Sequence, residues 1–297
     1  MHNLKLRDLK KGVLLGVIAN LIWSFSTLLY KQLSEINAYH VVSWRIISSE
    51  VLLLLIIIIT NRIKTIYDSL KRVSFVNVSL ISLLFAIWWL VHIYGVLSGK
   101  LLEVSFGYFI SPLMSMLASG IIFKEKLSNR QKVAISVATF GVALQSLNFE
   151  SVPWIAIIIG ACYSIYGILK KKNTGDAIVM QALEISFLLP FALTFLILSP
   201  GENVGHVFFE STKKDIFLIS TGLVTVLPLW CYSIAAKKLP MIWLGFIQFI
   251  PPICNFLLAV FIYSEPVTTI KMISFVLIWI SLITIFLPLG RSKVSVS

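Results

Sequence analysis

Apolar and polar positions fall along this chain in long blocks, not in the short alternation of strands or the half-apolar rhythm of soluble helices. Ten blocks of at least 17 residues carry the apolar side chains: Gly12 to Tyr30, Asn37 to Thr60, Ser74 to Val96, Leu102 to Phe123, Gln131 to Leu147, Pro153 to Leu169, Ala177 to Leu198, Asp215 to Ala236, Pro240 to Tyr263 and Thr269 to Leu289. As helices, blocks of this length can cross a hydrocarbon core of roughly 30 Å. The pattern therefore predicts an all-α membrane protein with ten spans, numbered 1 to 10 in chain order. The first block is too long for the apolar core of a signal peptide and is expected to be retained.

The blocks repeat. Phe106 to Glu125 and Phe246 to Glu265 lie 140 residues apart and share Phe, Phe, Ile, Pro, Leu, Ile and Glu at seven of twenty positions. The same offset sets Ser24 on Ser164, Leu29 on Leu169 and Lys31 on Lys171, which matches span 1 to span 6. With a slip of two, Tyr94, Lys100 and Leu101 fall on Tyr232, Lys238 and Leu239, matching span 3 to span 8. Two halves of five spans follow, residues 1–148 and 149–297. Five is odd, so the second half must enter the bilayer upside down relative to the first. Inverted repeats of this kind place a substrate site near the midplane and offer two near-equivalent packings.

Charge fixes the orientation. The chain is 58% hydrophobic and 13% charged, with a net charge of +12. In a soluble protein that excess would suggest nucleic acid, but here it is confined to span ends. Nineteen Lys and Arg side chains lie before span 1, after spans 2, 4, 6 and 8 and in the tail with Arg291 and Lys293; five (Lys31, Lys100, Lys213, Lys214, Lys271) lie at the other ends. The positive-inside rule then puts both termini in the cytoplasm. No nucleic-acid partner is expected; lipid and a small-molecule substrate are. Cys162, Cys231 and Cys254 are odd in number and scattered through apolar blocks, so neither disulfides nor a metal site is predicted. No phosphate-binding Gly-rich loop ending in Lys-Ser or Lys-Thr, no HExxH and no GxSxG occurs, so no cofactor, no ATP-driven pump and no intramembrane enzyme is signalled.

Helix breakers and buried polar groups mark the candidate site. Gly107 and Pro112 lie in span 4, and Gly245, Pro251 and Pro252 in span 9. A proline inside a helix frees the carbonyl four residues before it, and matched interruptions in two halves point to a binding site. Tyr108 and Gln248 occupy equivalent places one turn before Pro112 and Pro252. Arg45 is a cation well inside span 2, where it needs a partner or water. Glu184 in span 7 is its expected partner, the two backbones differing by about 8 Å in depth. The two flank a cavity, either paired or with one released to hold a substrate charge or a proton; a purely structural bridge is the alternative. His92 can titrate or hydrogen-bond a ligand. Trp23, Trp89 and Trp230 lie on spans that would face the cavity. Glu50 shares span 2 with Arg45 but lies on another face, with no readable partner. Glu125 and Glu265 close spans 4 and 9, in structural or gating roles.

The run Glu103-Val-Ser-Phe-Gly-Tyr-Phe-Ile-Ser-Pro-Leu113, the closing Phe123-Lys-Glu125, Leu188-Leu-Pro190 and Leu244-Gly-Phe-Ile-Gln-Phe-Ile-Pro251 resemble the RarD family, in the EamA branch of the drug/metabolite transporter superfamily. The likeness runs from Gly12 to about Leu287. It implies a bacterial inner-membrane permease of ten helices in two inverted five-helix repeats, moving a small organic metabolite or drug by alternating access. Arg45 and Glu184 match charged positions of the family, whereas Glu50 departs from its apolar pattern. Coupling to protons or exchange of solutes are both open, as are a channel or a structural membrane role. A monomer already holds both inverted halves, and a homodimer is compatible with them.

Overall fold

The computed structural model describes residues 2–146, 152–173, 175–198, 211–261 and 268–286, and within these it contains helices and no strand. In chain order they are α1 (His2–Lys31), α2 (Ala38–Ile59), α3 (Ile63–Arg72), α4 (Phe75–Leu97), α5 (Leu101–Ile121), α6 (Asn129–Ser146), α7 (Trp154–Lys172), α8 (Ala177–Leu198), α9 (Thr212–Lys238), α10 (Met241–Ile247), α11 (Ile250–Phe261) and α12 (Thr269–Phe286). Among the described residues, eight segments are long and apolar enough to cross a membrane, counting Met241–Leu258 (α10 and most of α11) as one. The remaining two expected crossings, α6 and α12, pack against each other, where the Ser281 hydroxyl donates to the Ala134 carbonyl at 2.8 Å. The repeat boundary at 148, Glu265, Arg291 and Lys293 lie outside the described residues.

Apolar side chains such as Leu54, Ile58, Ile59, Phe191, Ile197 and Ile219 point outward, while Asn20, Ser24, Gln181, Thr221, Thr225 and Gln248 are buried. This is the distribution expected when hydrocarbon is the solvent, because a polar group facing lipid has no water to bond. Helix pairings come in matched sets under exchange of the halves: α1 with α9 answers α7 with α4, α2 with α9 answers α8 with α4, and α5 with α7 answers α10 and α11 with α1. The α2–α8 and α6–α12 contacts map onto themselves.

Glycines set how closely the halves approach. A Cβ on Gly107 would stand 2.8 Å from the Ile159 Cβ, one on Gly160 2.8 Å from Ile110 Cγ2, and one on Gly222 2.7 Å from the Ser48 backbone carbon. Small residues at such crossings let backbones pack where the hydrophobic effect gives helices no reason to associate.

Two features differ from the sequence expectation. The loop between spans 2 and 3 contains α3, a short helix with none of its residues buried; Ile63, Tyr67 and Leu70 stand exposed at helical spacing, with Lys64, Lys71 and Arg72 among the polar positions. That is the composition of a helix lying in the membrane interface. The other is α5, which runs unbroken through Gly107 and Pro112. Gly107 serves close packing against α7, and one proline removes one donor, which bends a helix without ending it. In the second half the chain does break: α10 stops at Ile247 and α11 restarts at Ile250. There Pro251 and Pro252 in succession free the carbonyls of Ile247 and Gln248. Gly245 is again a packing glycine, its Cβ position lying 2.7 Å from Met116 Cγ.

Candidate functional site

Side chains from both halves meet in a buried cluster of rings at the centre of the bundle. Trp88 of α4 stacks on Tyr163 of α7 with ring centres 4.6 Å apart, and Trp23 of α1 packs edge-on against both at 5.8 and 5.7 Å. Tyr232 of α9 lies 5.5 Å from Trp23 and 5.7 Å from Tyr163. The Gln248 amide, at the break between α10 and α11, donates to the Tyr232 hydroxyl at 2.8 Å, and its Oε1 has no hydrogen-bond partner. On the opposite side of the cluster the Trp88 indole donates to the Tyr108 hydroxyl at 3.3 Å, and that hydroxyl lies 3.1 Å from His92 Nδ1. An indole only donates, so the tyrosine proton is free to point to His92, whose Nδ1 then accepts and whose own proton sits on Nε2.

Arg45 stands beside these rings, 2% exposed. Its Nε donates to the Thr225 hydroxyl at 2.6 Å, and its guanidinium carbon lies 3.7 Å from the Trp89 ring centre and 5.3 Å from that of Tyr30. A desolvated cation over an aromatic face gains about 2 kcal/mol, against roughly 2.5 to 3.5 kcal/mol for an arginine at membrane depth on translocon scales. The rings thus offset much of the burial without supplying a counter-charge.

The expected Arg45–Glu184 pair is not formed. Glu184 pairs with Lys170 at 2.7 Å, both groups being at most 2% exposed. The depth estimate ignored azimuth, and Lys170 had been counted among the lysines beyond span 6. It sits in the last turn of α7 and faces inward. Glu50 has a partner too: the Ser186 hydroxyl donates to its Oε1 at 2.7 Å, while Oε2 has none. Trp230 does not join the rings. It is 38% exposed and lines a cavity of about 650 Å³ together with Asp8, Arg62, Asp176, Lys237 and Lys238 at one end of the bundle. Tyr232, two residues on and about 200° around α9, turns inward instead.

Among the described residues, three ion pairs at the same end of the bundle join one half to the other: Arg62 to Asp176 at 2.6 Å, Lys171 to Glu125 at 3.7 Å, and Lys238 to Asp8. Glu125 also accepts from the backbone N–H groups of Met241 and Ile242 at 2.7 and 3.1 Å, capping the start of α10. At the opposite end, Lys214 pairs with Glu35 at 2.6 Å, and this neighbour holds the Glu35 carboxyl below its ordinary range. Among the described residues no group of three His, Cys, Asp or Glu side chains could hold a metal ion.

Residues 10–147 match the model of the EamA-like transporter family. A transporter of Vibrio cholerae, otherwise uncharacterized, is 34% identical over 93% of this chain and 92% of its own length. The chain belongs to the RarD/EamA family of the drug/metabolite transporters. Other members resemble it over the same extent: Protein RarD of Escherichia coli at 31% identity over 93% of this chain and 94% of its own, and the uncharacterized transporter YojE of Bacillus subtilis at 32% over 93% of each. One crystal structure superposes with a TM-score of 0.69 over 93% of this EamA-family chain and 96% of the other, at 16% identity, a likeness of fold. The family relation and the apolar helices make it a multi-pass membrane protein.

Proposed function

We propose that this EamA-family protein is a secondary transporter of the bacterial inner membrane, moving a small organic solute by alternating access with both termini in the cytoplasm. The observation that carries this reading is that the polar and aromatic groups at the centre of the bundle are contributed by both halves. Thr225 holds Arg45, Tyr163 stacks on Trp88, and Tyr232 meets both Trp23 and Gln248. Rocking one half against the other would open this cluster to one side at a time. The inter-half contacts of Glu125, Asp8 and Arg62 form the gate on the side carrying the basic ends, which the positive-inside rule makes cytoplasmic. Tyr108, His92, Gln248, Trp23 and Trp89 line the solute path. Energy comes from proton movement or from exchange with a second solute, and Glu184 with Lys170 is the titratable pair for the former.

The test is a metabolite uptake and export screen in proteoliposomes with an imposed proton gradient, comparing wild type with Glu184→Gln that has inserted and is monodisperse. Saturable accumulation against a gradient, or acceleration by solute on the opposite side, is expected. Flux that never saturates, or conductance without accumulation, rejects the reading. A pH-independent rate unchanged in Glu184→Gln removes that residue from coupling and leaves exchange.

A further inference from the structure

We infer that the site takes an organic monocarboxylate with a flat aromatic or apolar body, its carboxylate held by Arg45. This rests on the transport reading only for the route by which the anion reaches the centre of the bundle.

Charge carries the inference first. Among the described residues Arg45 makes no ion pair; its hydrogen bond to Thr225 uses Nε and leaves the terminal nitrogens without a hydrogen-bond partner. Neither buried acid on the neighbouring elements supplies its counter-charge: Glu184 neutralises Lys170, and Glu50, five residues on and about 140° around α2 from Arg45, turns to α8 and accepts from Ser186. The centre therefore holds one uncompensated positive charge on a fork of donors whose geometry matches a carboxylate. A single negative charge balances it, whereas a dianion would leave a buried net charge of the opposite sign.

A second, independent observation comes from the walls. The Trp89 indole N–H and the Tyr30 hydroxyl, whose rings flank the guanidinium, are buried with no hydrogen-bond partner, as is the Trp23 indole N–H. A buried donor left unpaired calls for another acceptor, a water or a ligand oxygen. The two donors on the rings that flank the cation suit an anion's oxygens, and the aromatic cluster of Trp23, Trp88 and Tyr163 offers an aromatic or apolar body rings to pack against. Thr225 orients Arg45 from the second half, so that the anion bridges the two halves.

The experiment measures thermal unfolding of the purified wild-type protein in detergent. The probes are benzoate, phenylacetate and 3-indolepropionate, each against its own primary amide, which has the same shape and no charge. At least one acid should raise the melting temperature saturably and bind about tenfold or more tighter than its amide, the difference expected for a hydrogen bond to a charged group. Arg45→Gln should abolish the preference, and Trp89→Phe, which keeps an aromatic face and loses the indole N–H, should weaken it. If no acid outperforms its amide, or if Arg45→Gln keeps the preference, the assignment is overturned. The acid-against-amide comparison uses wild type alone, so it decides even if Arg45→Gln fails to insert. Uptake of the stabilising acid into proteoliposomes separates the two readings. Binding without flux keeps the anion site and removes the transporter, whereas saturable flux of a neutral solute through Arg45→Gln keeps the transporter and removes the anion site.

Discussion

Replacing Glu184 by Gln, Lys170 by Met, or both at once tests what the buried ion pair contributes. The charges lie 2.7 Å apart and neither is more than 2% exposed. At an effective dielectric constant of about 20 their attraction is roughly 6 kcal/mol, and withdrawing both from water costs several kcal/mol per ion. The pair as a whole therefore contributes little, but removing one partner leaves the other charged and buried, a loss of about 3 to 5 kcal/mol. That is a decrease of roughly two to three and a half orders of magnitude in the ratio of folded to unfolded protein. Each single variant should melt well below wild type in detergent, and Lys170→Met with Glu184→Gln together should recover most of the loss. Fluorescence-monitored unfolding on monodisperse protein measures this. Two single variants as stable as wild type, or a double variant whose loss equals the sum of the two, would refute the reasoning, because either result means that neither charge depends on the other.

Gly222→Ala should destabilise the protein by about 1 to 3 kcal/mol, since the new methyl would meet the Ser48 backbone at 2.7 Å, which has no rotamer to move away; the same melting assay measures it, and no change would mean that α2 and α9 have slack at this crossing. Glu125→Ala should release the start of α10, so in a cysteine-free background a reporter cysteine at Leu239, buried in wild type, should react faster with a maleimide; an unchanged rate would remove Glu125 from the gate. Lys214 lowers the Glu35 carboxyl below its ordinary range, so the contribution of this pair is complete above the ordinary carboxylate pKa of about 4.3 and is lost as pH falls through the lowered folded value. Carboxyl NMR should find a midpoint below the ordinary value in wild type and a return to it in Lys214→Met; equal midpoints would contradict the contact.

The spans were legible because block length and charge placement are one-dimensional properties. The double proline at 251 and 252 was legible for the same reason, since each missing donor is visible in the residue itself. Side-chain direction was harder. Glu184 and Arg45 were matched by depth alone, yet Tyr163, Tyr166, Gly167 and Lys170 fall at i, i+3, i+4 and i+7, the spacing of one helix face. Reading Lys170 as the last member of that face would have turned it inward and given Glu184 its true partner. Thr221, Gly222 and Thr225 form a similar stripe of small and polar residues, the usual mark of a tight crossing in a membrane, and it would have pointed to the face of α9 that receives Arg45. Trp230 was grouped with Trp23 and Trp89 because a helix was judged as a whole instead of by face, and it lines the cavity at the end of the bundle instead of joining the rings. The α3 helix was hidden by its own charges, which read as a loop although Ile63, Tyr67 and Leu70 repeat with helical spacing.

The uncut α5 and its severed counterpart, α10 with α11, bear on how the molecule rests. Were the two halves identical, the packings open to either side would be related by a twofold rotation and equal in energy, and an unloaded carrier would divide its time evenly between them. Here one arm is a continuous rod and the other is jointed at Gln248. On the proposed alternating-access mechanism the degeneracy is lifted by covalent structure, so an idle carrier would lean toward one face of the membrane before any cargo arrives, and a ligand would shift that bias only by the difference in its affinity for the two forms.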